Sequence, residues 1–150
     1  MVEPVFPGGV FDGARHLYGV RVYYEDTDLS GITYHANYLR WFERARSDLL
    51  RMLQIDQRDA IEAAEGAYAV SEINLKYLRP AKLDDNVLIE TVCTELGAAS
   101  CRMHQVATRD GEKLCEASLR VGFISLDGRP RRQPAEWRKA FTDFMEDNLG

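Results

Sequence analysis

Residues Tyr23 to Arg51 read YYEDTDLSGITYHANYLRWFERARSDLLR, and this stretch decides the fold. Its second half is helical by periodicity. From Tyr38 to Leu53 the apolar residues fall at Tyr38, Phe42, Ala45, Leu49 and Met52, and Leu39, Trp41, Leu50 and Leu53 widen the stripe. The other face carries Arg40, Arg44, Ser47, Asp48 and Arg51. A stripe this broad must be buried against something wide, which points to a sheet. Asn37 is the expected N-cap, since its side chain can accept from the first free N–H groups of the helix. The first half, Glu25 to Ala36, is a polar loop with three carboxylates, a glycine and a histidine.

The rest of the chain supplies the sheet. Leu17 to Tyr24 is β-rich and precedes the loop. Residues Gln54 to Gly66 read as a loop with a short helical piece. In Tyr68 to Leu78, Ile73, Leu75 and Tyr77 alternate with Glu72, Asn74 and Lys76, the period of a strand. Arg79-Pro80 ends it and Asp84-Asp85-Asn86 turns the chain. Asn86–Glu95, Ala98–Arg109 and Lys113–Leu126 read as three more strands, the last two joined by an Asp110-Gly111 hairpin turn. Trp137, Phe141, Phe144 and Met145 place a C-terminal helix over Ala135 to Asn148. The expectation is an α+β domain, an antiparallel sheet of about five strands wrapped around one long central helix. Residues 1–16 read as a flexible N-terminal arm with Pro4, Pro7 and glycines, and 17–150 as a single domain.

Bulk properties narrow the function. The net charge of −5 argues against a nucleic-acid partner, although Arg129, Arg131 and Arg132 cluster. No apolar run is long enough for a transmembrane segment. MVEPVFPGGVFDGARH lacks the apolar core of an export signal, so a cytoplasmic protein is expected. The three cysteines, Cys93, Cys101 and Cys115, show no CxxC spacing and read as buried small hydrophobes in a reducing compartment. No metal or cofactor motif is present: there is no Walker loop, dinucleotide fingerprint, HExxH or GxSxG elbow.

The candidate chemistry sits in the loop. Asp28 begins Asp28-Leu29-Ser30-Gly31, and a bare D-x-x-G most often marks only a turn. Its position gives it value, between a strand and the entrance of a buried helix. There a carboxylate can attack a thioester or ester carbonyl, or act as general base for water. Backbone N–H groups near His35 and Ala36 would receive the developing oxyanion. His35 has two readings: it contacts substrate or shuttles a proton, or it fixes the loop to the helix. Tyr24 either orients Asp28 and lines a pocket, or packs. Glu25 and Asp26 are expected to be solvated or paired with arginines, and Glu43 to pair with Arg40, Arg46 or a partner chain. His16 and His104 read as surface or interface histidines. Arg79, Arg120, Arg131 and Arg132 are candidates for a phosphorylated ligand.

The run from Val22 to Arg46, with Lys76-Tyr77-Leu78-Arg79-Pro80-Ala81 and the strands after it, resembles the hotdog-fold acyl-CoA thioesterases. It is most similar to the Tol–Pal-associated branch of the 4-hydroxybenzoyl-CoA thioesterase-like group, over roughly Leu17 to Arg132. Leu29-Ser30 departs from the small residues usual between the aspartate and the glycine, which bears on pocket shape. The resemblance implies an acyl-CoA thioesterase of hotdog fold. In it Asp28 matches the catalytic aspartate, His35 the histidine that follows, Tyr24 a tyrosine beside the site, and the N–H at about His35 the oxyanion donor.

It further implies homodimers or homotetramers with active sites at the dimer interface. The substrate would be an acyl-CoA, with an acyl carrier protein as a second possible carrier, and no metal or redox cofactor would be needed. Two other readings compete: a non-catalytic acyl-CoA or acyl-carrier-protein binding or scaffold module of the same fold, and a hotdog dehydratase. Intact Asp28 and His35 favour the hydrolase, since a scaffold has no physical need of that pair at a helix entrance.

Overall fold

The computed structural model describes residues 2–149. Strands β1 (Val10–Asp12) and β2 (Arg15–Arg21) form a hairpin, followed by a 3-10 turn at Tyr24–Asp26 and the long helix α1 (Asn37–Met52). A short helix α2 (Gln57–Glu62) precedes β3 (Ala67–Tyr77), β4 (Asn86–Leu96), β5 (Ser100–Arg109) and β6 (Glu112–Ile124), and helix α3 (Ala135–Met145) closes the chain. The strands make one antiparallel sheet in the order β1-β2-β4-β5-β6-β3.

α1 forms because its apolar residues recur on one face with no Gly or Pro to interrupt them. Trp41, Phe42, Ala45 and Leu49 are fully or almost fully buried against Ile89, Met103, Ala107 and Leu119 on the concave side of the sheet. Each large side chain so buried stabilises the fold by about 1.5–3 kcal/mol relative to exposure. The helix stops at Leu53, and Gln54 takes a left-handed backbone, φ 65°. The β5–β6 turn is the expected two-residue hairpin, with positive φ at Asp110 (51°) and Gly111 (80°). α3 caps one end of the sheet through Trp137, Phe141 and Phe144, with Trp137 edge-on to Phe123.

Three particulars differ from the sequence reading. The sheet has six strands, because Val10–Asp12 and the residues from Arg15 on, inside the stretch expected as arm, pair with each other. The strands β3 to β6 are consecutive in sequence but not in space. β3 lies beside β6 at the sheet edge, since residues 78–85 cross over to the side of the polar loop before β4 begins. The helix N-cap is Ala36, and Asn37 is the first helical residue, its side chain spent on Asp26 instead.

That crossover positions the loop. The Thr33 N–H donates to the Ala81 carbonyl at 2.8 Å and the Val22 N–H to Asp85 at 2.9 Å, while Ile32 bridges Lys82. Ala81 is fully buried and its own N–H donates to the Tyr38 hydroxyl at 3.1 Å. The polar loop is thus stitched to the connection at residues 78–85, which is itself tied to the first turn of α1.

Candidate active site

The loop folds as a small hairpin. Thr27 pairs with Thr33, the Asp28 N–H donates to the Ile32 carbonyl at 3.0 Å, and Gly31 turns the chain with φ 79°. Asp28 therefore stands opposite Ile32, exposed to solvent. Its Oδ1 accepts from the Ser30 N–H at 2.8 Å and the Ser30 hydroxyl at 2.5 Å. These two bonds, the hydroxyl's first, hold the Asp28 carboxyl below its ordinary range, so it is ionised at neutral pH. Among the described residues Oδ2 has no hydrogen-bond partner.

Asp26 acts as the loop's internal brace. Its carboxylate accepts from the Tyr23 N–H at 2.9 Å and from Asn37 Nδ2 at 2.7 Å, and its carbonyl accepts from the Tyr34 N–H at 2.8 Å. The expected solvent or arginine partner of Asp26 is replaced by these bonds, because a carboxylate near a helix start finds N–H donors closer than any guanidinium.

His35 sits at the entrance of α1 among aromatic rings. Its ring lies 4.6 Å from Tyr34 and 5.9 Å, edge-on, from Tyr77. The Tyr77 hydroxyl donates to the His35 carbonyl at 2.9 Å. With Ile32, Tyr38, Tyr77 and Pro80 the His35 side chain lines a groove of about 280 Å³. Among the described residues the N–H groups of His35 and Ala36 meet no acceptor, as expected of free donors at a helix start.

The structure joins Asp28 to this groove through Ile32 and Thr33, but it does not bring Tyr24 to them. Tyr24 lies in the 3-10 turn with its ring exposed, neither packed nor bonded to Asp28. Sequence reasoning missed Tyr77 and Thr33. Tyr77 reads as a strand residue by its alternation, and nothing local links it to a histidine 42 residues away. The Thr33 hydroxyl is buried beside the groove with no partner in the described chain, a feature invisible in sequence.

Other candidates resolve into structure. His16 is fully buried, its Nε2 2.7 Å from Asp48 Oδ2, so the surface reading is corrected. Glu43 accepts from the Ser47 hydroxyl at 2.8 Å instead of pairing with an arginine. His104 stays partly exposed, with Glu116 3.7 Å away on the neighbouring strand. Arg79 pairs with Glu112 at 2.8 Å, and Arg131 reaches the Ala64 and Glu65 carbonyls. Among the described residues no group of three or more His, Cys, Asp or Glu side chains converges as a metal would require, and no helix is long and apolar enough to cross a membrane.

Comparison with known proteins gives one answer. The sequence model of the thioesterase superfamily matches residues 30–116, beginning two residues after Asp28. The acyl-CoA thioesterase YbgC of Haemophilus influenzae is 39% identical over 123 residues, covering 81% of this chain and 90% of that protein. The acyl-CoA thioester hydrolase YbgC of Escherichia coli is 38% identical over 117 residues, covering 77% and 87%. Among solved structures, a probable thioesterase from Bartonella henselae superposes with a TM-score of 0.75 at 33% identity, over 80% of this chain and 99% of that one.

Proposed function

The chain belongs to the thioesterase superfamily and hydrolyses acyl-CoA thioesters, and we propose that the Asp28 carboxylate is the group that acts on the thioester. The observation that carries this reading is the state of Asp28. Ser30 occupies Oδ1 with two hydrogen bonds and leaves Oδ2 free, on an exposed and ionised side chain. Two routes use that oxygen. In one, Oδ2 attacks the acyl carbon, the C–S bond breaks, CoA leaves as thiolate, and water then cleaves the aspartyl anhydride. In the other, Oδ2 takes a proton from water as that water attacks, and CoA leaves from the tetrahedral adduct.

Either route places negative charge on the thioester oxygen. The free N–H groups of His35 and Ala36, at the positive end of α1, are the proposed donors for it. His35 lines the groove, and its ring, packed by Tyr34 and Tyr77, is the proposed substrate contact. The groove walls Ile32, Tyr38, Tyr77 and Pro80 suit an apolar acyl group.

The site is also proposed to be completed by a second copy. The concave-face residues of β3, Val70, Ile73 and Tyr77, are exposed because β3 is an edge strand that α1 does not cover. An antiparallel β3–β3 contact would extend the sheet and cover these side chains. A cytoplasmic setting is proposed as well, supported by three buried cysteines that are all free.

The test is thiol release from a panel of acyl-CoAs, with the matching acyl carrier protein thioesters in parallel. Wild type is expected to turn over, and Asp28→Asn to lose about 10²–10⁴ in kcat while melting normally. Retained turnover in Asp28→Asn would remove Asp28 from the mechanism.

A further inference from the structure

Arg109 ends β5 and reaches out of its own hairpin to the crossover between β3 and β4. Its Nη1 donates to Asp85 Oδ2 at 2.7 Å and to the Pro80 carbonyl at 3.3 Å, so one guanidinium spans residues 80 to 85. The same Asp85 oxygen accepts the Lys82 N–H at 2.8 Å, and the Asp85 N–H donates to the Lys82 carbonyl at 3.0 Å, which closes the 82–85 turn. Nη2 stands 3.5 Å from one oxygen of Glu112, whose other oxygen lies 2.8 Å from Arg79.

The β5–β6 hairpin is irregular at this end. Cys115 lies opposite Ala107 and Lys113 opposite Thr108, which leaves Leu114 as a bulge with no partner on β5. The Leu114 carbonyl accepts the N–H groups of Leu78 and Arg79, at 2.9 and 3.0 Å. The hairpin end thus holds the crossover at its start through a bulged carbonyl and farther along through Arg109. β6 separates β5 from the β3 edge, so Arg109 and Asp85 lie outside the proposed β3–β3 contact.

The crossover in turn carries the Asp28 loop. The Thr33 N–H donates to the Ala81 carbonyl and the Leu83 N–H to the Gly31 carbonyl at 3.1 Å, so residues 81–83 pair with the loop on both sides of Ile32. The Gly31 N–H donates to the Asp28 carbonyl at 3.2 Å. A continuous route runs from Arg109 through Asp85, Lys82, Leu83 and Gly31 to Asp28, each step a hydrogen bond or a peptide link. On the other side the Ala81 N–H meets the Tyr38 hydroxyl in the first turn of α1. Whatever fixes the crossover therefore fixes the carboxylate relative to the helix start.

Arg109 and Asp85 are each about a quarter exposed, and ion pairs in that setting add little to stability. Their consequence lies in geometry. We propose that Arg109 is a positioning residue for thioester hydrolysis, which holds the 80–85 turn so that Asp28 faces the start of α1. This rests on Asp28 being the acting carboxylate. A planar guanidinium meets a carboxylate and a carbonyl together, whereas a lysine ammonium is a point charge on a flexible stem.

The experiment measures thiol release and amide exchange on the full chain for wild type, Arg109→Gln, Arg109→Lys and Asp85→Asn. The substrate is the acyl-CoA of the panel that wild type turns over fastest. Arg109→Gln should lower kcat about tenfold, as a displaced reacting group does, and leave KM within about twofold. Exchange at the Thr33 and Leu83 N–H groups should quicken about tenfold, with β4 and β5 unchanged. Arg109→Lys should restore part of kcat. Asp85→Asn, whose oxygen can still accept the Lys82 N–H, should resemble Arg109→Gln, and the double variant should add nothing further. Arg15→Gln, which breaks an ion pair with Glu90 at 3.0 Å on β2, should leave kcat and both amides as they are.

An unchanged kcat or unchanged exchange at Thr33 and Leu83 in Arg109→Gln would overturn the proposal. So would faster exchange throughout the sheet, or an equal loss in Arg15→Gln, either of which would make Arg109 a general stabiliser. The two readings fail separately. Full turnover in Asp28→Asn removes the carboxylate, whereas the exchange at Thr33 and Leu83 reports the positioning by Arg109 without reference to activity.

Discussion

The Tyr77 hydroxyl donates to the main-chain carbonyl of His35 at 2.9 Å, so an edge strand holds the peptide that leads into α1. That carbonyl and the Ala36 N–H share one peptide plane, and fixing the first aims the second. Tyr77 is thereby a positioning residue for the proposed oxyanion donors, and its ring also abuts Tyr38 in the first turn of the helix, 5.7 Å between centroids.

Tyr77→Phe keeps the ring and removes the tie. It should lower kcat about fivefold to tenfold, a fraction of what loss of a whole oxyanion donor costs. KM should change little, and stability should fall by no more than about 1.5 kcal/mol. Steady-state kinetics beside a urea melt check this. A melt shift with kcat intact would make Tyr77 structural only.

Ser30 sets the charge state of Asp28. Its hydroxyl and N–H both stabilise the carboxylate, so the acid limb of kcat/KM in wild type should lie below the ordinary carboxylate value of 3.8. In Ser30→Ala the backbone bond survives and the hydroxyl bond does not, so the limb should move to higher pH. Activity at neutral pH should change less than activity at the acid end. A pH–rate profile of the two proteins decides it, and an unmoved limb would separate Ser30 from the titration of Asp28.

The buried His16–Asp48 pair makes stability depend on pH in two steps. Burial lowers the pKa of His16 from its ordinary 6.5, and the hydrogen bond and charge of the neighbouring Asp48 offset only part of this. The unfolded chain then binds the proton first, so stability is full above about 6.5 and declines as pH falls below it. Burial pushes Asp48 up, but hydrogen bonds from His16, Arg51 and the Gly9 N–H outweigh it and hold the carboxyl below 3.8, so a second decline begins under that value. Denaturant unfolding across pH should show both steps. Stability that instead fell as pH rose through 6.5 would mean His16 is held protonated. Asp48→Ala, which leaves a buried neutral imidazole without its partner, should cost about 1–3 kcal/mol at neutral pH.

The same pair shows where sequence reading stops. The apolar stripe of α1, the alternation of the strands and the Asp110-Gly111 turn are local patterns, and each leads straight to its element. Asp48 lies on the polar side of the helix by that same logic, yet it is buried. The β1–β2 hairpin folds over it, and Gly9 approaches so closely that a Cβ there would sit 2.5 Å from the Leu17 carbonyl and 2.8 Å from Asp48 Oδ2. Nothing near His16 in sequence announces a carboxylate 32 residues away. The site divides in the same manner. Asp28 and His35 stand out because the loop and helix entrance are contiguous, whereas Tyr77 and Thr33 acquire meaning only once residues 78–85 have crossed to the loop.

The edge strand carries the last prediction. β3 pairs with β6 on one side, and its other side is open. Ile73 lies opposite the buried Leu119 on the concave face, but is itself 38% exposed because α1 ends its coverage before the edge. An apolar side chain at the open edge of a sheet is stabilised when a second copy covers it, and a carboxylate at that point would be desolvated by the same contact. Ile73→Asp should therefore leave the single chain folded and shift sedimentation from an oligomer toward the 17.1 kDa monomer. If the site is shared between copies, thiol release should fall in step with the loss of oligomer, and raising the protein concentration should restore both together. An oligomer of unchanged mass in Ile73→Asp would place the contact elsewhere. A monomer with full activity would show that Asp28 and the start of α1 suffice within one chain.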